Sequence, residues 1–234
     1  MVYIGLQKIQ QWLWPGNCLL CAAPVPAGGD ICPACEQSLP RLTAACPRCA
    51  APGAVMEAGD AICGECQKEP PAYLATQAAF RYAPPVDKLI QGLKYHGRLD
   101  WSRVLGGYLA RHLMGLAGQR PDVIVPVPLH PSRLRSRGFN QSLELARFVS
   151  AALELPIDAF NARRIRATTP QTELPRAQRR RNVLGAFDAG ATFAGRAVAI
   201  VDDVMTSGNT VQSLAQSLLK AGAREVRVWA VARA

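Results

Sequence analysis

The chain has 234 residues, of which 49% are hydrophobic and 19% charged, and this balance excludes a disordered or low-complexity protein. That length accommodates one medium domain together with a small module. The net charge of +10 is uneven: residues 1–70 carry four Lys/Arg and six Asp/Glu, whereas the remainder carries 23 and 11. A basic excess confined to one region indicates either a polyanionic partner, such as nucleic acid or a phosphate-rich substrate, or simply a well-solvated surface.

The amino-terminal segment gives no indication of export or of a membrane anchor. No apolar run approaches the roughly 18 residues that a membrane-spanning helix needs, so stable membrane insertion is not expected. Polar residues at positions 7, 8, 10 and 11 interrupt any signal-peptide core. We therefore expect a cytoplasmic protein.

All eight cysteines lie in the first 66 residues, as four Cys-x-x-Cys pairs. These are Cys18/Cys21, Cys32/Cys35, Cys46/Cys49 and Cys63/Cys66. A Cys-x-x-Cys turn brings two thiolates to one point, and Zn²⁺ prefers four ligands in a tetrahedron, so four pairs match two closed structural zinc sites. The spacing leaves open whether consecutive pairs combine or interleave.

Two other uses of these cysteines are possible. A disulfide framework needs an oxidising compartment, and a redox-active Cys-x-x-Cys usually occurs singly beside a βαβ unit. A catalytic zinc is not expected, because four thiolates leave no open coordination position. We predict a zinc-binding module over residues 1–70 whose folding depends on its metal.

Residues 71–234 alternate between strand and helix patterns. Strands are predicted at 75–82, 122–127, 158–166, 183–189, 197–201 and 225–232, and helices at 85–94, 101–117, 140–153 and 209–221. This alternation predicts an α/β domain with a mainly parallel sheet. Ligands of such sheets bind at the carboxyl ends of the strands, which directs attention to the residues after Val201.

The segment that follows this central strand resembles the phosphoribosyl pyrophosphate motif of type I phosphoribosyltransferases. Asp202 and Asp203 can accept hydrogen bonds from ribose hydroxyls. The next residues, Thr206, Ser207, Gly208, Asn209 and Thr210, present hydroxyls and backbone N–H groups at a helix start, which suits a 5′-phosphate. Gly208 would let the backbone approach that phosphate closely. The alternative is an ordinary strand–turn–helix junction capped by Ser207 or Asn209.

Two arginine-rich segments are candidates for pyrophosphate or nucleic-acid binding. Arg133, Arg135 and Arg137 precede a predicted helix start at Asn140 and could cradle a polyphosphate. Arg179, Arg180 and Arg181 lie in the polar stretch 167–182, where type I enzymes have a mobile loop, and could contact phosphates or a nucleic-acid backbone. Either segment could instead be a solvated basic surface.

Taken together, the motifs resemble the ComF family of bacterial proteins over essentially the whole chain. The similarity rests on the four cysteine pairs and on segments 94–97, 125–128, 137–141, 169–172, 181–183 and 201–210. It implies a double zinc ribbon followed by a type I phosphoribosyltransferase-like domain with helices on both faces of its sheet. It also implies a role in DNA uptake and natural transformation, with single-stranded DNA and competence-machinery proteins as partners.

Two hypotheses follow from this resemblance. The first is a phosphoribosyltransferase that binds phosphoribosyl pyrophosphate with Mg²⁺. The second is a non-catalytic single-stranded DNA-binding protein that reuses the fold. No nucleobase hood is expected after the last predicted strand, so an acceptor would have to be recognised by residues 72–97, with Lys94, Tyr95 and His96 as candidates, or by the zinc module.

Overall fold

In a computed structural model, residues 16–25, 29–53, 62–116, 120–167 and 183–234 are described. The chain forms two compact units, Met1–Pro40 and Arg41–Ala234. The last two cysteine pairs therefore belong to the unit that also contains the α/β sheet. The domain boundary near residue 70, which separates the modules by their expected chemistry, stays a prediction.

The first unit contains the first two cysteine pairs and one short helix, α1 (Pro33–Gln37). Cys32 caps this helix, since its sulfur accepts a hydrogen bond from the Cys35 N–H, and Pro33 at the first helical position has no N–H to leave unpaired. Its buried apolar residues in the described part are Cys18, Val25, Ile31, Cys32 and Leu39. This is a small core, in keeping with a fold that depends on metal.

The second unit is built on a four-stranded parallel sheet. Its strands are β1 (Ala75–Arg81), β2 (Val123–Pro126), β5 (Ala197–Met205) and β6 (Glu225–Arg233), in the order β1-β6-β5-β2. The central strand β5 is buried along nearly its whole length, as its continuous apolar run predicts. The predicted parallel α/β sheet is confirmed.

Helices cover both faces of this sheet. The described helices of the second unit, of which α4, α6 and α7 contact the strands, are α2 (Gly64–Lys68), α3 (Val86–His96), α4 (Asp100–Met114), α5 (Pro131–Arg137), α6 (Gln141–Leu153) and α7 (Asn209–Lys220). Helices α4 and α6 pack on each other, α4 contacts β1 and β6, and α6 contacts β2 and β5. Helix α7 joins a separate core cluster that includes Cys46, Cys49 and Cys66. The second cysteine group is thus part of the hydrophobic core of the α/β unit.

A two-stranded antiparallel hairpin accompanies the main sheet. It consists of β3 (Ala162–Arg164) and β4 (Phe187–Ala189), so the predicted returning strand is confirmed. A 3₁₀ turn, Ala191–Phe193, then leads to β5. None of the helices in the described part of the chain combines the length and the apolar character needed to cross a bilayer.

The helix α5 was not anticipated from the sequence, which suggested a loop there. Pro131 occupies its first turn, and His130 caps it by accepting a hydrogen bond from the Ser132 N–H. Gly138 ends the helix in the left-handed conformation with φ +85°. The stop and start signals were present, but seven residues without a buried apolar face show no helical periodicity.

Candidate functional site

The eight cysteines form two groups of four, and consecutive pairs combine. Cys18, Cys21, Cys32 and Cys35 form one group, and Cys46, Cys49, Cys63 and Cys66 form the other, with the sulfurs of each group within 4.8 Å of one another. All eight are free thiols. The Cys21–Cys32 and Cys49–Cys63 sulfurs are 3.7 Å apart, close to the roughly 3.8 Å edge of a tetrahedron with Zn–S bonds of about 2.3 Å. The geometry supports two structural zinc sites.

Both groups also stabilise a thiolate in the same way. The Cys32 N–H points at the Cys18 sulfur and the Cys63 N–H at the Cys46 sulfur, each at 3.4 Å. Although burial opposes ionisation, these and neighbouring backbone N–H groups lower the pKa of Cys18 to about 6 and that of Cys46 to about 7. Metal binding requires deprotonated thiols, so this hydrogen bonding favours the ligand form.

The acidic pair lies inside β5, which continues to Met205, whereas the predicted strand ended at Val201 and placed the pair after it. Asp202 and Asp203 are only 8% and 3% exposed. The Ser142 hydroxyl, on α6, donates to Asp202 Oδ1 at 3.1 Å, and the Asp203 N–H donates to the same oxygen at 3.0 Å. The Lys94 ammonium, on α3, is 2.5 Å from Asp203 Oδ2. Three elements distant in sequence thus meet at these two carboxyl groups.

The two carboxyl groups of this pair differ in the charges that surround them. Burial and the neighbouring Asp203 carboxylate raise the pKa of Asp202 to about 8, although Lys94 opposes that rise. Burial disfavours the charged form of Lys94, but the attraction of Asp203 and then Asp202 outweighs it and raises the pKa of Lys94. One ammonium therefore faces two carboxyl groups, and a further hydrogen-bond donor or cation would be favourable beside Asp202.

The turn after β5 has the features of an anion site. Gly208 is the N-cap of α7, with φ +77°, and provides no side chain for the amides of the first turn. Those amides have no acceptor within the helix, so they can serve a phosphate. A side chain at this left-handed position would also meet neighbouring residues, which the sequence did not reveal. A Cβ at position 208 would lie 2.9 Å from Met205 Cε and 3.4 Å from Tyr73 Oη.

The predicted arginine cradle is divided by the helical geometry of α5. Arg133 and Arg137 are four residues apart and share a face, whereas Arg135 is turned about 200° from each and is exposed. Arg137 donates to Gln141 Oε1 at 2.6 Å, and its guanidinium lies 5.6 Å from the centre of the Tyr95 ring. Burial lowers the pKa of Arg137, although Asp203 opposes this effect.

A fourth arginine, Arg164 on β3, reaches the same region and was not identified from the sequence. It is 8% exposed and lies 5.4 Å from the centre of the Phe187 ring. Burial, with a smaller contribution from the nearby Arg133, lowers the pKa of Arg164 to about 10, while Asp202 opposes the shift. The basic group beside the acidic pair is thus Arg133, Arg137 and Arg164, with Arg135 on the other side of its helix.

The structure also places the predicted cap of α6 and the candidates for acceptor recognition. Asn140 caps α6 by accepting a hydrogen bond from the Ser142 N–H at 3.0 Å, and so orients the serine that binds Asp202. Among the candidates for acceptor recognition, Tyr95 is 67% exposed and His96 is also exposed. Lys94 instead forms an ion pair with Asp203. Arg179, Arg180 and Arg181 lie outside the described residues.

Comparison with known proteins identifies two domains in the chain. The double zinc ribbon domain matches residues 9–68, and the phosphoribosyl transferase domain matches residues 102–234. DNA utilization protein YhgH of Escherichia coli K12 is 38% identical over 226 residues, which cover 94% of this chain and 97% of the relative. Competence protein F of Haemophilus influenzae is 31% identical over 219 residues, 89% of this chain and 92% of the relative.

The chain belongs to the ComF family. A more distant relative, competence protein ComFC of Streptococcus pneumoniae, is 25% identical over 207 residues and covers 87% of both chains. Membership in the ComF family confirms the combination of a double zinc ribbon with a phosphoribosyltransferase-like domain that the motifs suggested.

Proposed function

We propose that this ComF-family chain binds phosphoribosyl pyrophosphate or a related phosphoribosyl ligand at the carboxyl edge of its parallel sheet. The observation that carries the proposal is the juxtaposition of the buried pair Asp202 and Asp203 with the uncapped start of α7. Ribose hydroxyls are suitable donors for the carboxyl pair, and a 5′-phosphate suits the first-turn amides and the hydroxyls of Thr206, Ser207 and Thr210.

The pyrophosphate would face the basic group of Arg133, Arg137 and Arg164. Guanidinium groups bind phosphate oxygens in a bidentate manner, and their burial here strengthens that attraction. Two carboxyl groups are also ligands that fit Mg²⁺, which usually binds one or two carboxylates together with substrate phosphates. When bound, Mg²⁺ would neutralise pyrophosphate charge, and Asp202 and Asp203 would hold it.

If the chain transfers the phosphoribosyl group, its own residues contribute mainly position and charge. Lys94 forms an ion pair with Asp203, Ser142 orients Asp202, and the arginines stabilise the negative charge of departing pyrophosphate. The exposed ring of Tyr95, held beside Arg137, is the aromatic group best placed to contact an acceptor base.

The names of the relatives favour a second function, the handling of single-stranded DNA. They are called DNA utilization and competence proteins. The uneven positive charge of the chain suits a polyanionic strand, whose binding would weaken steeply with added salt. In this alternative the start of α7 would hold the terminal 5′-phosphate of a DNA strand without catalysis.

Thermal unfolding with phosphoribosyl pyrophosphate and Mg²⁺ tests the main proposal. Ligand at about 100 times its dissociation constant should raise the melting temperature by about 5–10 °C. The double variant Asp202→Asn with Asp203→Asn should show no shift, because neutral amides lose the charge-assisted hydrogen bonds to ribose. Asp188→Asn, which changes an exposed carboxylate on β4, is the control and should keep the full shift.

A parallel titration with a 5′-phosphorylated oligodeoxynucleotide separates the two functions. Binding of the donor with release of pyrophosphate in the presence of a nucleobase supports the enzyme. Salt-sensitive binding of the oligonucleotide with no response to phosphoribosyl pyrophosphate supports the non-catalytic alternative. An unchanged donor shift in the double aspartate variant would refute the assigned site.

A further inference from the structure

The side chain of Arg233 connects the second cysteine group to the phosphate loop. We use the term phosphate loop for residues 205–210. Arg233 Nε donates to the Cys49 carbonyl oxygen at 2.9 Å, and Nη1 donates to the Met205 carbonyl oxygen at 3.1 Å. The same nitrogen contacts the carbonyl oxygens of Thr206 and Ala234. One guanidinium therefore holds the first residues of the phosphate loop and a zinc-ligand residue together.

The sheet fixes where this guanidinium lies. Arg233 is the last residue of β6 and pairs in register with Met205, the last residue of β5. The Ala234 N–H also donates to the Met205 carbonyl at 3.1 Å. Because the backbone of Arg233 is fixed by strand pairing, its planar side chain can reach the loop and the cysteine turn at a defined distance, which a flexible ammonium could not do equally well.

The space behind the phosphate loop makes this connection important. A cavity of 530 Å³ lies between the loop and the second cysteine group, with Cys49, Cys66, Ser207, Gly208 and Arg233 among its lining residues. Met205 packs into the core cluster on that side, but Ser207 and Gly208 face the cavity and have few packing contacts there to limit their motion. Arg233 spans this gap with hydrogen bonds to both sides.

The carbonyl of Cys49 is held in turn by the cysteine group. The Cys46–Cys49 turn is closed by the Ala50 N–H, which donates to the Cys46 carbonyl at 2.7 Å, and by the Cys46 N–H, which donates to the Ala51 carbonyl at 3.1 Å. Four thiolates around one metal fix the same turn from its other side. Without the metal, the four metal–sulfur bonds that fix the turn from this side would be lost.

We propose that Arg233 is a positioning residue that transmits the metal state of the Cys46/Cys49/Cys63/Cys66 site to the phosphate loop. Loss of this metal then weakens binding of a phosphoribosyl ligand, although the metal contacts neither ligand nor loop. Loss of the metal from the Cys18/Cys21/Cys32/Cys35 site, which belongs to the other compact unit, does not have this effect. The effect on affinity rests on the proposed function, whereas the effect on the loop does not.

The test uses the zinc-loaded full chain and two measurements. Hydrogen exchange of the backbone amides of residues 205–210, without ligand, reports the order of the loop. Affinity for phosphoribosyl pyrophosphate with Mg²⁺ shows whether a less ordered loop binds the ligand more weakly. The variants are Arg233→Met and Arg233→Lys, and the control is Arg227→Met on the same strand, where the arginine pairs with Glu225 near the opposite end.

Arg233→Met should accelerate exchange in the loop and weaken ligand binding by about 10- to 100-fold, as expected for removing charge-assisted hydrogen bonds. Arg233→Lys should recover part of both effects, because an ammonium can reach some of the carbonyls. Arg227→Met should change neither. A role confined to stability would change the melting temperature without selectively exposing amides 205–210.

The metal arm compares Cys46→Ser with Cys18→Ser, with the zinc content of each measured. Cys46→Ser should reproduce the faster loop exchange, and Cys18→Ser should not. If the wild-type chain binds no phosphoribosyl pyrophosphate, the proposed function fails while loop exchange still tests Arg233. If Arg233→Met and Arg233→Lys both leave loop exchange unchanged, or if the two cysteine variants affect it equally, the coupling is refuted. If Arg233→Met does not fold, loop exchange in Arg233→Lys and in the two cysteine variants tests the coupling instead.

Discussion

The two sides of the phosphate loop differ in what they contribute. The front, formed by Asp202, Asp203, Lys94 and the arginines, consists of buried charges whose arrangement favours a ligand. The back, formed by Tyr73, Arg233 and the second cysteine group, consists of core packing and hydrogen bonds to carbonyls. The proposed ligand would contact the front, where burial opposes the charged form of Asp202, whereas the back contributes packing and hydrogen bonds that the ligand would not contact.

This difference shows why a local motif is insufficient to describe the site. The residues that would contact the ligand are concentrated in one strand and turn. The residues that hold the turn in place come from the ribbon that precedes the sheet and from the last strand of the sheet. Changes on the two sides should therefore have opposite effects on stability, and three experiments can test this comparison.

The largest effect on stability is expected from removing a ligand of the metal site at the back of the loop. Cys66→Ser should lower the free energy of unfolding of the second unit by about 4 kcal/mol or more, because it removes a ligand from a metal site within the core cluster. Cys35→Ser, the matched change in the first group, should leave unfolding of the second unit within about 1 kcal/mol of the wild type. Urea unfolding followed by tryptophan fluorescence measures both, and equal losses would remove the distinction between the two groups.

An effect of opposite sign is expected at the front. The pKa of Asp202 is raised to about 8 from the ordinary aspartate value of 3.8. Between these values the folded state binds more protons than the unfolded state, so Asp202 lowers stability progressively as pH rises from 4 to 8. The decrease can approach about 1.4 kcal/mol per pH unit.

The corresponding experiment measures unfolding free energies of Asp202→Asn and wild type across this pH range. The variant should be the more stable protein near pH 8, and its advantage should shrink towards pH 4. Asp188→Asn, at an exposed position, should parallel the wild type. A pH-independent difference between Asp202→Asn and wild type would mean that Asp202 is ionised throughout.

The smallest effect concerns the contact between the two sides at Gly208. Gly208→Ala should cost about 1–3 kcal/mol, because it adds a Cβ at a left-handed position and brings it 2.9 Å from Met205 Cε. Gly97→Ala has a similar φ, +63°, with nothing within 4 Å of the added Cβ, and so isolates the backbone contribution. Equal losses in thermal unfolding would show that Met205 and Tyr73 yield without cost.

The sequence predicted what depends on neighbouring residues. The parallel α/β fold follows from alternating patterns, and Asp202, Asp203 and the turn to α7 were recognisable because a single strand, turn and helix contain them. Helix α5 could have been found from Pro131 and Gly138, and it would have separated Arg135 from Arg133 and Arg137.

The rest depended on tertiary structure. The spacing of the cysteines could not decide between consecutive and interleaved pairs, since either satisfies one tetrahedron per four thiolates. Arg164 and Ser142 lie in elements whose arrangement around β5 has no local signal, and a buried arginine in a strand contradicts the usual apolar pattern. Arg233 looks like an ordinary final strand residue until the sheet register places it beside Met205.

The parallel pairing of β1 with β6 also affects how the chain is assembled during translation. At about 5–20 residues per second, the ribosome needs about 10–30 s to extend the chain from Cys66 to Arg233. The second group of thiols has no β6 to pack against during that interval. Early metal capture would protect these thiols from oxidation. The hydrogen bond from Arg233 to the Cys46–Cys49 turn can form only after the final strand has docked.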